Sequence, residues 1–164
     1  MIKREVCFLR ILDHTLKIQV HWEHDLVICI KPAVSDVPWN RTLSPLARKF
    51  RGILRGEFNG SSLPFKAVGT AFQTRVWNVT CGIPFGGLKT YGEIASEVDC
   101  RSPRAVGQAL KANPLPIMIP CHRVIGKQGD LVGFSCGLDI KALLLQFEAK
   151  GKSASGHSRW SSAP

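Results

Sequence analysis

The sequence predicts a mixed α/β (α+β) fold, with a small β-rich part at the N-terminus followed by a helical part that contains a winged helix-turn-helix. Two observations support this prediction. Short apolar runs separated by turn residues fill residues 5–31, as in paired strands. After the turn-rich segment NGSSLPFKAVG, apolar residues recur at helical spacing between helix-capping residues. We therefore expect three units: an N-terminal α/β domain over residues 1–66, a C-terminal domain over 67–148, and a disordered basic tail over 149–164.

The N-terminal part contains three predicted strands and one predicted helix. The strands are the apolar runs VCFLRI, LKIQVHW and LVICI. After the proline-containing loop KPAVSDVPWN, the stretch SPLARKFRGILRGEF predicts a helix with Ser44 as N-cap and Pro45 as first helical residue. Leu46, Phe50 and Ile53 would form the apolar face of this helix.

The C-terminal part begins with three predicted helices. The first is TAFQTRVWNVTCG, which Gly82 ends. Thr90 and Glu93 form a T-x-x-E capping box that opens the second, YGEIASEV. Ser102 caps the third, SPRAVGQALKAN, and Pro103 begins it. Only a few residues connect the second and third helices, and this spacing indicates a helix-turn-helix.

The third of these helices has a distinctive outer face. The residues that face the core are apolar: Val106, Ala109 and Leu110. The residues on the opposite side are basic or polar: Arg104, Gln108 and Lys111. The residues that flank that side are small: Ala105, Gly107 and Ala112. Small residues between basic ones allow a helix to lie close to another surface; a plain amphipathic surface helix is the alternative.

An apolar run bounded by prolines leads directly into three chemically active residues. PIMIP predicts a buried strand ended by Pro120, which cannot donate to a ladder. Cys121, His122 and Arg123 follow at once, and VIG resumes the apolar run. KQGDLVGFSCG then predicts a Gly-rich loop that forms the wing, and LDIKALLLQFE predicts a final helix over residues 138–148.

Composition favours a globular protein that binds a polyanion. The chain has 164 residues, is 45% hydrophobic and carries a formal net charge of +10. Such a charge favours nucleic acid as partner, although basicity also serves solubility alone. Because the sequence contains neither a membrane-spanning apolar stretch nor a signal peptide, we expect a soluble intracellular protein whose six cysteines are free thiols.

Cys121 and His122 form the clearest chemical pair in the sequence. Thiolate is the nucleophilic form of cysteine, and a base is needed to generate it. Adjacent residues of an extended segment point apart, so a bridging water would carry the proton, and a carboxylate would orient the imidazole. The spacing selects none of the 12 acidic residues for that task. Three hypotheses remain: a cysteine-dependent enzyme acting on nucleic acid, a helix-turn-helix binding protein with a silent cysteine, and a cysteine hydrolase unrelated to DNA.

One combination of motifs resembles a known family. IPCHRVIG, preceded by RAVGQALKANPLPI and followed by GFSCGL and LLLQFE, is similar to the O6-alkylguanine-DNA alkyltransferases. The resemblance covers residues 69–148 and implies a C-terminal winged helix-turn-helix domain behind a ribonuclease H-like N-terminal domain. It also implies DNA repair by irreversible, stoichiometric transfer of an alkyl group from O6-alkylguanine to Cys121, with O4-alkylthymine as a candidate second substrate.

The resemblance also implies a role for each residue around the sulfur. Cys121 would accept the alkyl group, and His122 would act as its water-linked base. Glu148 would orient His122, and Asn113 would support the tight turn at the site. Tyr91 would donate a proton toward N3 of guanine and so improve the leaving group.

For the substrate and the DNA, the resemblance implies contacts from two regions. Ser135 would lie near O6 of the base, and the Val124 backbone would meet the base edge. The outer face of the third helix would enter the minor groove of double-stranded DNA and flip out the alkylated base. Arg104 would fill the vacated stack, and the other contacts would come from Ala105, Gly107, Gln108, Lys111 and Ala112. We expect a monomer without cofactor, metal or membrane partner, in the cytoplasm or, in a eukaryote, the nucleus.

The sequence departs from the family pattern at several points. Cys136 stands where the family usually has glycine, and it would narrow the pocket or add a second reactive thiol. The connector between the second and third helices is one residue shorter than in some members. Cys7, Cys29, His21 and His24 do not match the spacing of the zinc site that some members carry, so we expect no zinc. The alternative function is that of alkyltransferase-like proteins, which sense lesions without alkyl transfer and lack the cysteine.

Overall fold

An antiparallel sheet forms the N-terminal part of the computed structural model, which describes residues 1–11, 14–24, 26–32, 48–49, 52–53 and 64–154. Its three strands lie in the order β1 (Lys3–Ile11), β2 (His14–Glu23) and β3 (Leu26–Pro32). Ile18, Val20 and Trp22 are buried at alternate positions of β2, so one face of the sheet covers the core. The predictions of three strands and of a mixed α/β fold are confirmed.

The predicted helix after Ser44 lies mostly outside the described residues. Residues 48–49 and 52–53 are helical, and Ile53 is buried as expected for the apolar face. Lys31 and Pro32 extend β3, and the remainder of the expected loop lies outside the described part of the chain.

Four helices of the described C-terminal part are α1 (Ala71–Cys81), α2 (Tyr91–Glu97), α3 (Pro103–Lys111) and α4 (Leu138–Ala154). The predicted caps at Thr90 and Ser102 are present, each side chain accepting a bond from the backbone three residues on. Thr70 and Gln73 form a further capping box before α1, which the sequence analysis missed. The Trp77 indole donates to the Ala109 carbonyl at 2.9 Å and so joins α1 to α3.

A short parallel pair of strands links the start of α2 to the segment after Cys121. Strand β4 (Lys89–Thr90) pairs with β5 (Val124–Ile125). The pairing brings Tyr91, the first residue of α2, beside the Cys-His-Arg segment. The predicted Gly-rich loop follows β5 and begins with a turn in which Gly126 donates to Asp130 at 2.9 Å. No hairpin strand occurs between residues 126 and 137.

The predicted strand PIMIP is wrong, because this segment is a buried turn. Pro116 and Ile119 form an isolated bridge, and Ile117 between them has a positive φ of 80°. Proline supplies no N–H at 114, 116 and 120, so the segment cannot build a regular ladder. The Asn113 side chain instead accepts from Leu115 N at 2.9 Å and donates to Ile119 O at 3.1 Å. Cys121, His122 and Arg123 then form one turn of 3₁₀-helix.

The predicted end of the last helix at 148 is also wrong. Helix α4 continues to Ala154, so residues 149–154 are helical where we expected a disordered tail. Gly151 lies against Phe85, where an added Cβ would approach Cε1 at 3.0 Å, so glycine suits this position of the helix. Residues 155–164 lie outside the described part.

The N- and C-terminal parts are joined by backbone hydrogen bonds. Val27 N donates to Pro64 O at 3.1 Å, and Ile30 N donates to Pro114 O at 2.9 Å. Lys66 N returns a bond to Val27 O at 3.1 Å, so the expected boundary at 66/67 adjoins residues paired with β3. The division into domains stays a prediction.

Candidate active site

A cleft of about 1270 Å³ lies between α2, α3 and the loop before α4. Many residues that the sequence analysis singled out line it: Tyr91, Arg104, Gly107, Gln108, Lys111, Cys121 and Ser135. Arg104, Gln108 and Lys111 are exposed, whereas Val106, Ala109 and Leu110 are buried, so the two predicted faces of α3 are confirmed. The cleft thus joins a basic helix face to a cysteine.

Cys121 is almost inaccessible, with 4% of its surface exposed. Its backbone N–H donates to Ile119 O at 2.7 Å, which closes the tight turn. The Asn113 side-chain amide donates to Cys121 Sγ at 3.2 Å while also bonding Ile119 O. Asn113 therefore connects the turn to the sulfur, and its donor is placed to stabilise negative charge there.

The thiol form of Cys121 predominates at neutral pH. Burial raises the pKa of the Cys121 thiol to about 11, although the Asn113 hydrogen bond and the positive charge of Lys141 act in the opposite direction. A nucleophile in this position needs a base that removes its proton during the reaction.

His122 has the tautomer that such a base requires. Its Nε2 lies 2.8 Å from Glu148 Oε1, and both side chains are buried. Because an ionised carboxylate only accepts, Nε2 carries the proton and Nδ1 keeps a free lone pair. Nδ1 is buried without a hydrogen-bond partner among the described residues. Burial lowers the pKa of His122 more than Glu148 raises it, so the ring is neutral and can accept one proton.

Glu148 is held ionised by several donors. Arg123 donates through Nε at 2.9 Å to Oε2 and through Nη2 at 2.9 Å to Oε1, and Gly86 N adds a bond at 2.9 Å. Burial opposes ionisation, but the hydrogen bonds from His122 and Arg123, together with the charge of Arg123, outweigh it and lower the pKa of Glu148 to about 2. The carboxylate therefore orients His122 without taking its proton.

Arg123 and Lys141 both contribute to the site, although neither was among the site residues expected from the sequence. Besides Glu148, Arg123 binds Ile83 O at 2.7 Å and thereby anchors the loop after α1. Lys141 is completely buried, and its ammonium binds Val124 O at 2.6 Å and Val132 O at 2.7 Å. The sequence contains one indication that Lys141 faces the site: it lies seven residues before Glu148 in the same helix, and therefore on the same face.

Tyr91 spans the cleft rather than pointing freely into it. Its hydroxyl donates to Val132 O at 2.8 Å and contacts Gly133 O at 3.3 Å. Gly133 has a φ of 56°, a conformation that glycine adopts without strain and that turns the loop toward Tyr91. Phe134 follows and lies edge-on to the His122 ring, with centroids 6.2 Å apart.

Several predicted residues do not reach the cleft. Val124 is fully buried, and its carbonyl oxygen accepts a hydrogen bond from Lys141. Only the second lone pair of that oxygen would remain to accept a hydrogen bond from the nucleobase. Ala105, Ala112 and Cys136 are absent from the lining. Within the described ranges, no three His, Cys, Asp or Glu side chains gather as a metal site requires. The described helices also include none that is long and apolar enough to cross a membrane.

The sequence is similar to known methyltransferases. The model of the 6-O-methylguanine DNA methyltransferase DNA-binding domain matches residues 71–150. An inducible methylated-DNA–protein-cysteine methyltransferase of Bacillus subtilis is 43% identical over 112 residues, which are 68% of this chain and 63% of the relative. A Mycobacterium leprae methyltransferase of the same name is 39% identical over 116 residues, 70% of each chain. The match to the Bacillus protein thus spans less than two thirds of that relative's length.

Two solved structures are also similar to this chain. A Mycobacterium tuberculosis OGT in complex with DNA superposes with a TM-score of 0.70 at 30% identity, covering 82% of this chain and 88% of the other. The O6-methylguanine-DNA methyltransferase of Pyrococcus kodakaraensis superposes with a TM-score of 0.74 at 28% identity, covering 89% and 99%. The chain therefore belongs to the 6-O-methylguanine DNA methyltransferase family.

Proposed function

We propose that this chain repairs DNA by moving an alkyl group from O6 of guanine to Cys121 in one displacement. The Sγ–carbon bond forms as the carbon–O6 bond breaks, and the electron pair of that bond passes to the purine. The observation that carries the proposal is that Cys121 lines the cleft and is followed by His122, a neutral histidine bonded to the ionised carboxylate of Glu148. Because the thioether is stable, each molecule reacts once and needs neither a hydrolytic water nor an oxyanion hole.

The proton of the thiol would pass to His122 Nδ1. This atom is buried without a partner among the described residues, and buried polar atoms are nearly always hydrogen-bonded. A water between Nδ1 and Cys121 Sγ would satisfy it and carry the proton. Glu148, with its pKa lowered to about 2, would then stabilise the imidazolium as an anion.

The purine becomes a better leaving group when its ring nitrogen receives a proton or a hydrogen bond. Tyr91 lines the same cleft as Cys121 and carries the hydroxyl suited to N3. That hydroxyl donates to Val132 O, so binding of the base would exchange one acceptor for another. Ser135 lines the cleft on the loop side, where it would approach O6.

The DNA partner would be a duplex approached through its minor groove by α3. The target atom lies inside the stack, so the alkylated base must be flipped into the cleft. Gly107 lies in the cleft wall beside the Tyr91 ring, where even an added Cβ would stand 3.8 Å from Cε1. The small residue leaves room for the nucleotide, and the exposed basic side chains of α3 would bind phosphate. We expect the protein to act as a monomer.

Purified protein is expected to remove radiolabelled methyl from O6-methylguanine duplex DNA with a limit of one equivalent, and peptide mapping is expected to find the label on Cys121. The same duplex without the lesion is the control. Turnover beyond one equivalent or label on Cys136 would contradict the proposal. Tight lesion binding without any transferred label would instead favour a lesion-sensing protein.

Replacing Arg104 by alanine is expected to abolish most transfer from duplex DNA while leaving reaction with free O6-benzylguanine nearly normal. Arg104 is exposed at the cleft and would fill the stack that the flipped base leaves. The free base needs no flipping, so it reports the chemistry alone. Both rates are measured by loss of substrate on chromatography.

The matched control is Arg75→Ala, which removes an exposed arginine of α1 outside the cleft. This variant is expected to resemble wild type on both substrates. Equal losses on duplex and free base in Arg104→Ala would exclude the stack-filling role.

A further inference from the structure

Cys136 lies in a turn that packs against the segment of the nucleophile. This turn, residues 134–137, is closed by a hydrogen bond from its last N–H to its first carbonyl at 3.0 Å. The aromatic ring of its first residue lies edge-on to His122, with ring centroids 6.2 Å apart. Ser135, directly before Cys136, lines the same cleft as Cys121. The turn therefore brings a second thiol to the site, at a position where the family usually has glycine.

Of the thiols that the structure describes, Cys136 is the one that acts on Cys121. It raises the pKa of Cys121 through its charge, an effect that requires the two sulfurs to be close. The other described thiols lie elsewhere in the fold, in strand β3, at the end of α1 and in the connector after α2: Cys29, Cys81 and Cys100. The structure thus places Cys121 and Cys136 as a pair.

The two thiols differ in their access to solvent and in the freedom of their backbone. Cys121 exposes 4% of its surface, whereas Cys136 is half-buried. Gly133 and Gly137, with φ of 56° and 100°, stand on either side of Cys136. A disulfide requires Cβ atoms about 3.8 Å apart, and a segment between two glycines can adjust to that distance with little strain.

We propose that Cys121 and Cys136 form a reversible disulfide when hydrogen peroxide or another small hydroperoxide reaches the cleft, and that this disulfide switches alkyl transfer off. For its effect on repair, the proposal rests on the function proposed above. Cys136 is the more accessible thiol and reacts first. Its sulfur attacks one peroxide oxygen, the O–O bond breaks, and the displaced hydroxide takes the thiol proton and leaves as water.

The enclosed thiol then resolves the sulfenic acid on Cys136. The sulfur of Cys121 attacks the sulfenic sulfur as its own proton passes to His122 Nδ1. The S–O bond breaks, and the departing hydroxide takes that proton from His122 and leaves as a second water. Two thiols are thereby oxidised to one disulfide, and one peroxide is reduced to two waters.

The disulfide removes the nucleophile without destroying it. A sulfur bonded to Cys136 cannot attack the alkyl carbon, so Cys121 transfers nothing while the oxidant is present. A thiol reductant breaks the S–S bond by exchange and returns both thiols. Oxidation beyond the sulfenic acid would be irreversible by such a reductant, whereas the disulfide keeps Cys121 available for its single use.

The test treats the purified protein with hydrogen peroxide, blocks the remaining free thiols with iodoacetamide and maps the peptides without reduction. We expect a peptide pair joined through Cys121 and Cys136, together with loss of nearly all methyl transfer from O6-methylguanine duplex DNA. Dithiothreitol is expected to restore most of that transfer. Protein that has first been alkylated on Cys121 is expected to yield no linked pair, because its sulfur is already a thioether.

Cys136→Ser is expected to keep its transfer at the peroxide concentration that inactivates wild type, because it lacks the thiol that reacts first. Cys29→Ser, which removes another half-buried thiol, is the matched control and is expected to be inactivated like wild type. Equal inactivation of Cys136→Ser and wild type overturns the proposal, as does a map in which Cys121 is unlinked or linked to another cysteine. Untreated wild type that transfers no methyl defeats the proposed function instead, and the linked pair still decides whether the disulfide forms.

Discussion

A Cys121→Ser variant is expected to transfer no alkyl group from O6-methylguanine DNA while still binding the duplex. The site already raises the pKa of a thiol to about 11 by burial, and a hydroxyl is a far weaker acid than a thiol. The neutral His122 that deprotonates a thiol during the reaction cannot generate a buried alkoxide. Radiolabel counting measures the transfer, and fluorescence anisotropy with a labelled duplex measures binding.

Cys136→Ser is the matched control for this loss. Cys136 is a half-buried thiol near Cys121, but it does not line the cleft, so its replacement is expected to leave the yield at one equivalent. Its loss would remove a group that raises the pKa of Cys121, so any change in rate should be an increase. Label that persists in Cys121→Ser and disappears in Cys136→Ser would show that Cys136, and not Cys121, accepts the alkyl group.

The parts of the fold that the sequence predicted are those set by local interactions. The capping residues Thr90 and Ser102 act within three residues of themselves, so a short stretch of sequence contains the whole interaction. The exposed and buried faces of α3 follow from helical periodicity alone. The capping box of Thr70 and Gln73 is equally local, yet it was not predicted.

The errors arose where distant residues or side chains decide the backbone. PIMIP has the composition of a strand, yet the Asn113 side chain accepts from Leu115 N just before the segment and donates to Ile119 O within it, which holds the chain in a turn. Spacing left the carboxylate partner of His122 open, because 26 residues separate it from Glu148, and only the resemblance named it. Arg123 looked like a basic residue beside the cysteine, but it anchors that carboxylate and the loop after α1.

Lys141 shows a different limit of sequence reasoning. A lysine in a helix is ordinarily assigned to the solvent face, because its charge is costly to bury. Helical spacing places Ile140, Leu143, Leu144 and Phe147 on one face of the last helix, and no role was expected for the lysine among them. What overrides the rule is a set of three carbonyls contributed by β5 and the cleft loop. Those acceptors cannot be found before the fold is known.

Glu148→Gln is expected to lower the free energy of unfolding by about 3–5 kcal/mol, because it breaks a buried ion pair and leaves Arg123 unpaired. The carboxylate accepts bonds from His122, Arg123 and Gly86. An amide has a single oxygen, and its NH₂ would face one of these donors. Transfer from free O6-benzylguanine is expected to slow about a hundredfold, since His122 loses the group that fixes its tautomer. Urea denaturation and single-turnover kinetics measure the two effects.

The difference in stability between wild type and Glu148→Gln should itself depend on pH. Since the folded protein lowers the pKa of Glu148 from 4.5 to about 2, its ionisation stabilises the fold fully above pH 4.5 and progressively less as the pH falls toward 2. This contribution amounts to about 3 kcal/mol and is absent from the glutamine variant. Glu97→Gln, which breaks the exposed pair with Lys89, is the control and should cost no more than about 1 kcal/mol. Stability depends on pH in this range only through groups whose protonation differs between the folded and the unfolded chain. If the difference in stability between wild type and Glu148→Gln stays constant from neutral pH to pH 2, the ionisation of Glu148 does not stabilise the fold, and this prediction is wrong.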